Sequence, residues 1–533
     1  MIKFQFKLLI ALFLTVSFHA YAQEQAPANW FNLDLSADKV HGVSTEKAYN
    51  ELLKNKKPKK TVLVAVIDSG VDPEHEDLKD IMWVNPKEIA GNGKDDDGNG
   101  YVDDIHGWNF LGGKDGKNVN YETLELIRIY RELKAKSKLS GSEKKTFEMV
   151  KKEYDSKLEE IKGLQARFQP IFDAIATLEK HFGNSSFTLA QVKEIQEGSD
   201  EKLKKAKATF SSIAERFGGD AAAAMDYFKG RVGEYVDGQL KYNLNVDFDP
   251  RNIIGDDYSN QTQKDYGNSD VYGPDAEHGT HVAGIIGAIR GNGKGMDGVA
   301  NNVRIMSVRT VPNGDERDKD VANAIRYAVD NGADVVNMSF GKAFSYNKKI
   351  VDDAVKYAEQ KGVLLVHAAG NDNKNTDVEF NFPTPLYMSG KDQYKRGKKK
   401  ANNWIEVGAL SWMPESDAPA VFSNYGKTTV DLFAPGVDIN STIPEDQYKP
   451  NSGTSMAAPV VAGVAALVKS YYPELSAAEL KVCLESTVTP ISYKVKKPGT
   501  EELVDFKDLC IKSGVVNAYN ALKKAEEMVK AKK

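Results

Sequence analysis

The 533-residue chain is 41% hydrophobic and 28% charged, with a formal net charge of −5 and only two cysteines. That balance describes a globular protein long enough for more than one domain. It excludes a disulfide-stapled miniature fold and a low-complexity disordered chain, and its acidity disfavours a nucleic-acid phosphate backbone as ligand. Residues 1–22 read as an export leader: basic Lys3 and Lys7, an apolar Leu8–Phe18 stretch too short to span a bilayer, then Ala20-Tyr21-Ala22 before Gln23. Its removal leaves a mature chain near −7 and implies a secreted or periplasmic protein with no transmembrane span, in which Cys483 and Cys510 could pair or stay free. Residues 23–57 are expected to form an N-terminal extension ahead of the first strand.

Thr61–Ile67 is a continuous apolar run, the pattern of a strand buried on both faces, and it delivers Asp68 at its C-terminal end. An acidic, glycine-rich loop follows, Gly91–Asp104. Asp95, Asp97 and Asn99 alternate as oxygen ligands do around a hard cation, Gly100 permits a sharp turn, and Asp103 or Asp104 would complete the shell. The loop resembles the opening of an EF-hand, but His106 stands where that motif needs its bidentate glutamate. We therefore expect a structural calcium site of different closure, with a solvated acidic turn as the alternative, and no organic cofactor.

From about Tyr121 to Leu244 the chain is highly charged, and Phe147, Val150, Tyr154, Leu158, Ile161, Leu164, Phe168, Ile171, Ile175 and Leu178 recur every three or four residues. This stripe predicts a helix that Pro170 kinks or divides, with further helices at Thr188–Phe217 and Asp220–Val236. Residues 109–265 are accordingly expected to form a helical insertion splitting a larger domain into 58–108 and 266–522, with 523–533 a charged tail. After the polar loop Tyr266–Gly273 and His278, strands and helices alternate: Val303–Arg309, Asp320–Asn331, Val335–Met338, Tyr346–Lys361 and Val363–Ala368. Alternation of this kind predicts an α/β fold, a mostly parallel sheet covered by helices on both faces, with functional groups at the strands' C-terminal ends. Lys391–Lys400 reads as a solvated basic loop. Met456–Ser470 is almost entirely Ala, Val, Gly and Leu and predicts a helix buried on all sides, with Pro459 tolerated in its first turns.

Three segments carry chemistry: VAVIDSG (Val64–Gly70), HGTHVAG (His278–Gly284) and SGTSMAAP (Ser452–Pro459). A serine attacks a carbonyl usefully only when an imidazole takes its proton and a carboxylate orients that imidazole, so the three residue types are interdependent. These segments, in the order Asp, His, Ser, resemble the subtilisin-like serine proteases. The resemblance extends to NMSFG (Asn337–Gly341), AAGND (Ala368–Asp372) and GVVNAYNAL (Gly514–Leu522), and stops at the helical insertion.

It implies Ser455 as nucleophile, His278 as general base, Asp68 as orienting carboxylate and Asn371 as side-chain oxyanion donor, with Ser339, Phe340 and Gly341 offering backbone to a peptide substrate. His281 shares a helix face with His278, but HGTH lacks the spacing and glutamate of a zinc-protease helix, and His281, His75 and His367 are read as packing residues. The implied activity is a secreted serine endopeptidase acting on proteins or peptides. A selective processing protease gated by the insertion, and a silent protein gripping a partner through it, remain open alternatives.

Overall fold

The computed structural model describes residues 26–532 apart from Glu197, Lys391 and Pro414; the expected leader at 1–22 lies outside them. The chain divides into two compact units, Leu126–Phe248 and a sheet-bearing unit holding the flanking residues on both sides. Residues 109–125 and 249–265, expected within the insertion, fold with the sheet: Phe110, Val119, Ile254 and Tyr266 belong to one apolar cluster with Ala65, Met306 and Tyr327.

Thirteen strands occur among the described residues: β1 (Val62–Asp68), β2 (Gly107–Asn109), β3 (Val303–Arg309), β4 (Val335–Met338), β5 (Leu364–Ala368), β6 (Trp404–Leu410), β7 (Leu432–Pro435), β8 (Ile439–Ile443), β9 (Gln447–Asn451), β10 (Thr489–Pro490), β11 (Lys494–Lys496), β12 (Leu503–Asp505) and β13 (Gly514–Val515). Nine of them form one sheet in the order β10-β13-β7-β6-β5-β4-β1-β3-β2, parallel except at β10. β8 and β9 form a separate hairpin, as do β11 and β12. The central strands are mostly apolar because both faces are covered, with Ser307, Arg309, Asn337, His367 and Glu406 as buried polar exceptions. Ala65, Ile67, Met306, Val308, Val336, Met338 and Leu365 pack with helices Asp318–Asp330 and Lys348–Lys361. Alternate residues face the helices Glu277–Gly287 and Thr454–Tyr471. The latter is long and apolar enough to cross a membrane, yet all its residues but Lys469 are buried in this unit.

The N-terminal segment belongs to the same core. Trp30 and Phe31 are fully buried, the Trp30 indole donates to the Val437 carbonyl at 3.2 Å, and the Ala518 amide donates to the Val43 carbonyl at 2.7 Å. The expected C-terminal tail is instead the end of helix Ala518–Ala531, whose Ala521, Leu522, Ala525 and Val529 form a buried stripe.

In the helical unit, Gly141–Phe182 is one continuous 42-residue helix. Ser140 and Glu143 close a capping box at its start, and Gly183 ends it in a left-handed turn. Pro170 does not divide it: Pro170 and Ala166, the residue whose carbonyl loses its partner, are both exposed, so water can serve the freed oxygen. Val150, Ile161, Ile175 and Leu178 form its buried stripe. Beyond Glu201–Arg216 the chain passes through wide-turn helical segments at Asp226–Gly233 and Gln239–Asn243, so helix continues past the expected end at Val236. The Arg131 guanidinium donates to the Phe248 carbonyl at 3.1 Å, closing the unit's two ends on each other.

Candidate active site

Parallel strands deliver their last residues to one edge, and the site gathers there. Asp68 ends β1 and is 1% exposed. His278 lies in the first turn of helix Glu277–Gly287, and its Nδ1–H donates to Asp68 Oδ1 at 2.5 Å. The same oxygen accepts the Ser69 amide at 2.7 Å. This close approach requires glycine at 279, where a Cβ would lie 2.0 Å from the Gly70 carbonyl oxygen. With Nδ1 donating, the buried Nε2 of His278 carries the lone pair and has no hydrogen-bond partner among the described residues.

Ser455 is the second residue of helix Thr454–Tyr471 and is 3% exposed. A Cβ at Gly463 of this helix would sit 3.3 Å from the Ile286 carbonyl, so the serine and histidine helices touch along their backbones. The Ser455 hydroxyl donates to the Ser339 carbonyl at 3.1 Å and so is not bonded to His278 in this resting arrangement. Ser339 answers by donating its own hydroxyl to the Ser455 carbonyl at 2.9 Å, and the Asn337 amide donates to that hydroxyl. This reciprocal clasp between β4's extension and the serine helix escaped the sequence reading. Phe340 follows, 8% exposed, then exposed Gly341, whose Cα is approached so closely by Asn381 that a Cβ would meet its amide oxygen at 2.4 Å.

Asn371 is oriented by its oxygen. Oδ1 accepts the Thr454 amide at 2.8 Å and the Thr454 hydroxyl at 3.0 Å, and Nδ2, which faces Gly453, donates to none of the described residues. At the start of the serine helix the Thr454 amide is capped by Asn371 and the Met456 amide donates to the Gly453 carbonyl at 3.0 Å, and these amides carry the positive end of the helix dipole beside Ser455.

His281, His75 and His367 are buried packing residues, each hydrogen-bonded through at least one ring nitrogen, while His281 Nδ1 and His367 Nε2 have no partner among the described residues. His281 donates Nε2–H to the Lys449 carbonyl at 3.0 Å, and burial pushes it down to about 3, so it stays neutral. His75 accepts the Asp77 amide and donates to the Gln447 carbonyl. His367 donates to Glu406. Cys483 and Cys510 are free, buried thiols, which burial pushes up to about 12.

In the acidic loop, Asp95 and Asp97 each bring a carboxylate oxygen within 4.8 Å of one another and of Glu88. The third carboxylate is therefore Glu88, not Asp103 or Asp104. Asp103 accepts the Asn92 and Gly93 amides. Asp104 is buried and accepts from Asn85, Asn99 and the Tyr327 hydroxyl; burial raises its carboxyl to about 6. Asn99 donates its backbone amide to both Asp95 and Asp97, while its side-chain oxygen accepts the Tyr101 amide.

This arrangement, a carboxylate-oriented imidazole beside a serine at a helix N-terminus on a parallel sheet, is that of a serine hydrolase. The subtilase family model matches residues 59–507, and the chain belongs to that family. It is similar to a thermophilic serine proteinase of a Bacillus species (strain AK1), 37% identical over 303 residues that cover 56% of this chain and 64% of the relative. It is also similar to thermitase of Thermoactinomyces vulgaris, 38% identical over 40% of this chain and 68% of that protein. The cell wall-associated protease of Bacillus subtilis is 37% identical over 43% of this chain but only 23% of its own length. Among solved structures, a cold-adapted subtilisin-like serine proteinase aligns at 33% identity with a TM-score of 0.36, covering 44% of this chain and 76% of that one.

Proposed function

We propose that this chain is an exported serine endopeptidase that hydrolyses peptide bonds through an acyl-enzyme on Ser455. The observation carrying this reading is the 2.5 Å Asp68–His278 contact, which fixes the tautomer in which Nε2 is the base. In the reaction the Ser455 hydroxyl leaves the Ser339 carbonyl and gives its proton to Nε2 as Oγ bonds to the substrate carbonyl carbon. The resulting oxyanion takes hydrogen bonds from the Ser455 amide and Asn371 Nδ2, while Asp68 holds and stabilises the imidazolium through Nδ1–H. That imidazolium protonates the departing amine and the C–N bond breaks. Water then enters with its proton passing to His278, and the acid product and the serine hydroxyl are released. Ser339, Phe340 and Gly341 supply the backbone edge beside which the substrate lies.

Glu88, Asp95 and Asp97 suit a hard cation, since all three offer oxygen and Glu88 Oε2 is buried without a hydrogen-bond partner among the described residues. Calcium held there would stabilise the loop and takes no part in the reaction. The helical unit, with its own core, is read as a substrate-selecting element, giving a processing protease; its adjoining ends allow replacement of Leu126–Phe248 by a short linker. Cleavage of short peptides should survive that exchange while the choice among protein substrates changes. The parent reading is tested by digesting a mixed peptide library with wild type, Ser455→Ala and His278→Ala. Both variants should keep the fold and lose cleavage, and turnover near wild type in Ser455→Ala would sink it.

A further inference from the structure

Arg309 ends β3 directly opposite Asp68 in the parallel register and is 1% exposed. Its guanidinium donates Nε–H to the Ser69 carbonyl at 2.8 Å, one terminal nitrogen to Asn109 Oδ1 at 3.1 Å and the other to the Val119 carbonyl at 2.7 Å. All three acceptors are neutral. Burial lowers its pKa to about 10, which still leaves a cation at neutral pH. Asp270 and Asp275 act on it only through space and form no ion pair with it, and a buried cation so weakly offset costs stability that a well-packed apolar residue would not, so this residue is better explained by what it holds than by what it adds to folding.

What it holds is the turn that presents the catalytic carboxylate. Ser69, whose carbonyl Arg309 grips, donates its own amide to Asp68 Oδ1, the oxygen that receives His278 Nδ1–H. Asp68's carbonyl in turn accepts the amides of Thr310 and Val311, the residues after Arg309. The remaining two bonds reach β2 and the arm that follows it. Asn109 is fixed there by Asn118 and Asn268, and Asn268 sits on the loop running toward His278. That loop closes over the guanidinium: Gly273, at φ +68°, approaches until a Cβ would lie 2.2 Å from Nε.

We propose that Arg309 is a positioning residue for the reaction proposed above, acting through Ser69 on the Asp68–His278 pair and locking that pair to the chain segments on either side of the helical unit. The planar three-way fork is what the role demands; lysine keeps the charge but cannot hold three acceptors in one plane.

The test compares wild type, Arg309→Lys and Asn109→Ala, each as the full chain. Two readouts are taken: steady-state kinetics on a chromogenic peptide, and the downfield proton resonance of the His278 Nδ1–H, which needs no turnover. Arg309→Lys should lose about 10- to 100-fold in kcat at unchanged KM, with that resonance shifted or broadened, the size expected for a small misplacement of a catalytic group. Asn109→Ala should move both readouts in the same direction by less. An unmoved resonance with wild-type kcat in folded Arg309→Lys would overturn the assignment, as would activity lost only in proportion to unfolded protein. Should Arg309→Lys not fold, the same unmoved pair of readouts in Asn109→Ala overturns it. An inactive wild type with an intact resonance that Arg309→Lys shifts would instead count against the proteolytic reading and for the positioning role.

Discussion

The proposed mechanism gives Asn371 two jobs at opposite ends of one amide, and two substitutions separate them. Asn371→Leu removes Nδ2, the donor to the developing oxyanion, and should lower kcat by about 10²–10³, or roughly 2.7–4 kcal/mol of transition-state stabilisation, with little change in KM. It also removes Oδ1, the acceptor for the Thr454 amide at 2.8 Å and hydroxyl at 3.0 Å. The first-turn amide then loses its cap, at a cost of about 1–2 kcal/mol in stability and roughly 2–4 °C in melting temperature. Asn371→Asp keeps the acceptor toward Thr454 and turns a second carboxylate oxygen toward the oxyanion. It should therefore melt near wild type yet turn over more slowly than Asn371→Leu. Initial rates on a chromogenic peptide and thermal melts of both variants give the answer. A raised KM with kcat preserved, or Asn371→Asp more active than Asn371→Leu, would refute the reasoning.

If Glu88, Asp95 and Asp97 hold calcium, a hundredfold excess over the dissociation constant adds about 2.7 kcal/mol, so a chelator should lower the melting temperature and Glu88→Gln should erase most of that response; identical melts with and without chelator would count against the site. Trp30→Ala should cost about 3–5 kcal/mol in a denaturant titration, because the indole is buried and bonded to Val437; an unshifted midpoint would mean that the N-terminal segment is dispensable to the fold. Asp104 has its carboxyl raised by burial from 3.8 to about 6, so the folded state holds the extra proton between those values and stability falls as pH rises through that window, then levels off. Melting curves of Asp104→Asn in chelator should lack that slope; a slope equal to wild type would assign it to another group.

The sheet was legible because it depends on contiguous sequence, and so was the Asp68–His278 pair, whose two residues each sit in a short contiguous motif. A strand buried on both faces is predominantly apolar, and Val62–Asp68 is such a run; Val303–Arg309 and Leu364–Ala368 are mostly apolar, with Arg304, Ser307, Arg309 and His367 the polar members, and all three end at the same edge. Glu88 was missed because it lies upstream of the alternating run and joins it only when its side chain accepts the Asp96 and Asp97 amides. Of the two outcomes expected at Pro170, a kink or a division, the division does not occur, because that penalty depends on whether the freed carbonyl meets water, a property of burial and not of local sequence. The Ala518–Val529 stripe carried a readable helical period that the lysine-rich composition of the last residues concealed. Arg309 and the Ser339–Ser455 clasp join residues far apart in sequence, where no local pattern announces a partner.

The central claim is that Ser455 is the nucleophile, and its most direct test is covalent. A fluorophosphonate reagent incubated with the native enzyme, followed by digestion and mass mapping, should place one adduct on Ser455, with labelling abolished in Ser455→Ala and strongly slowed in His278→Ala. An adduct on any other residue, or undiminished labelling in Ser455→Ala, would contradict the account.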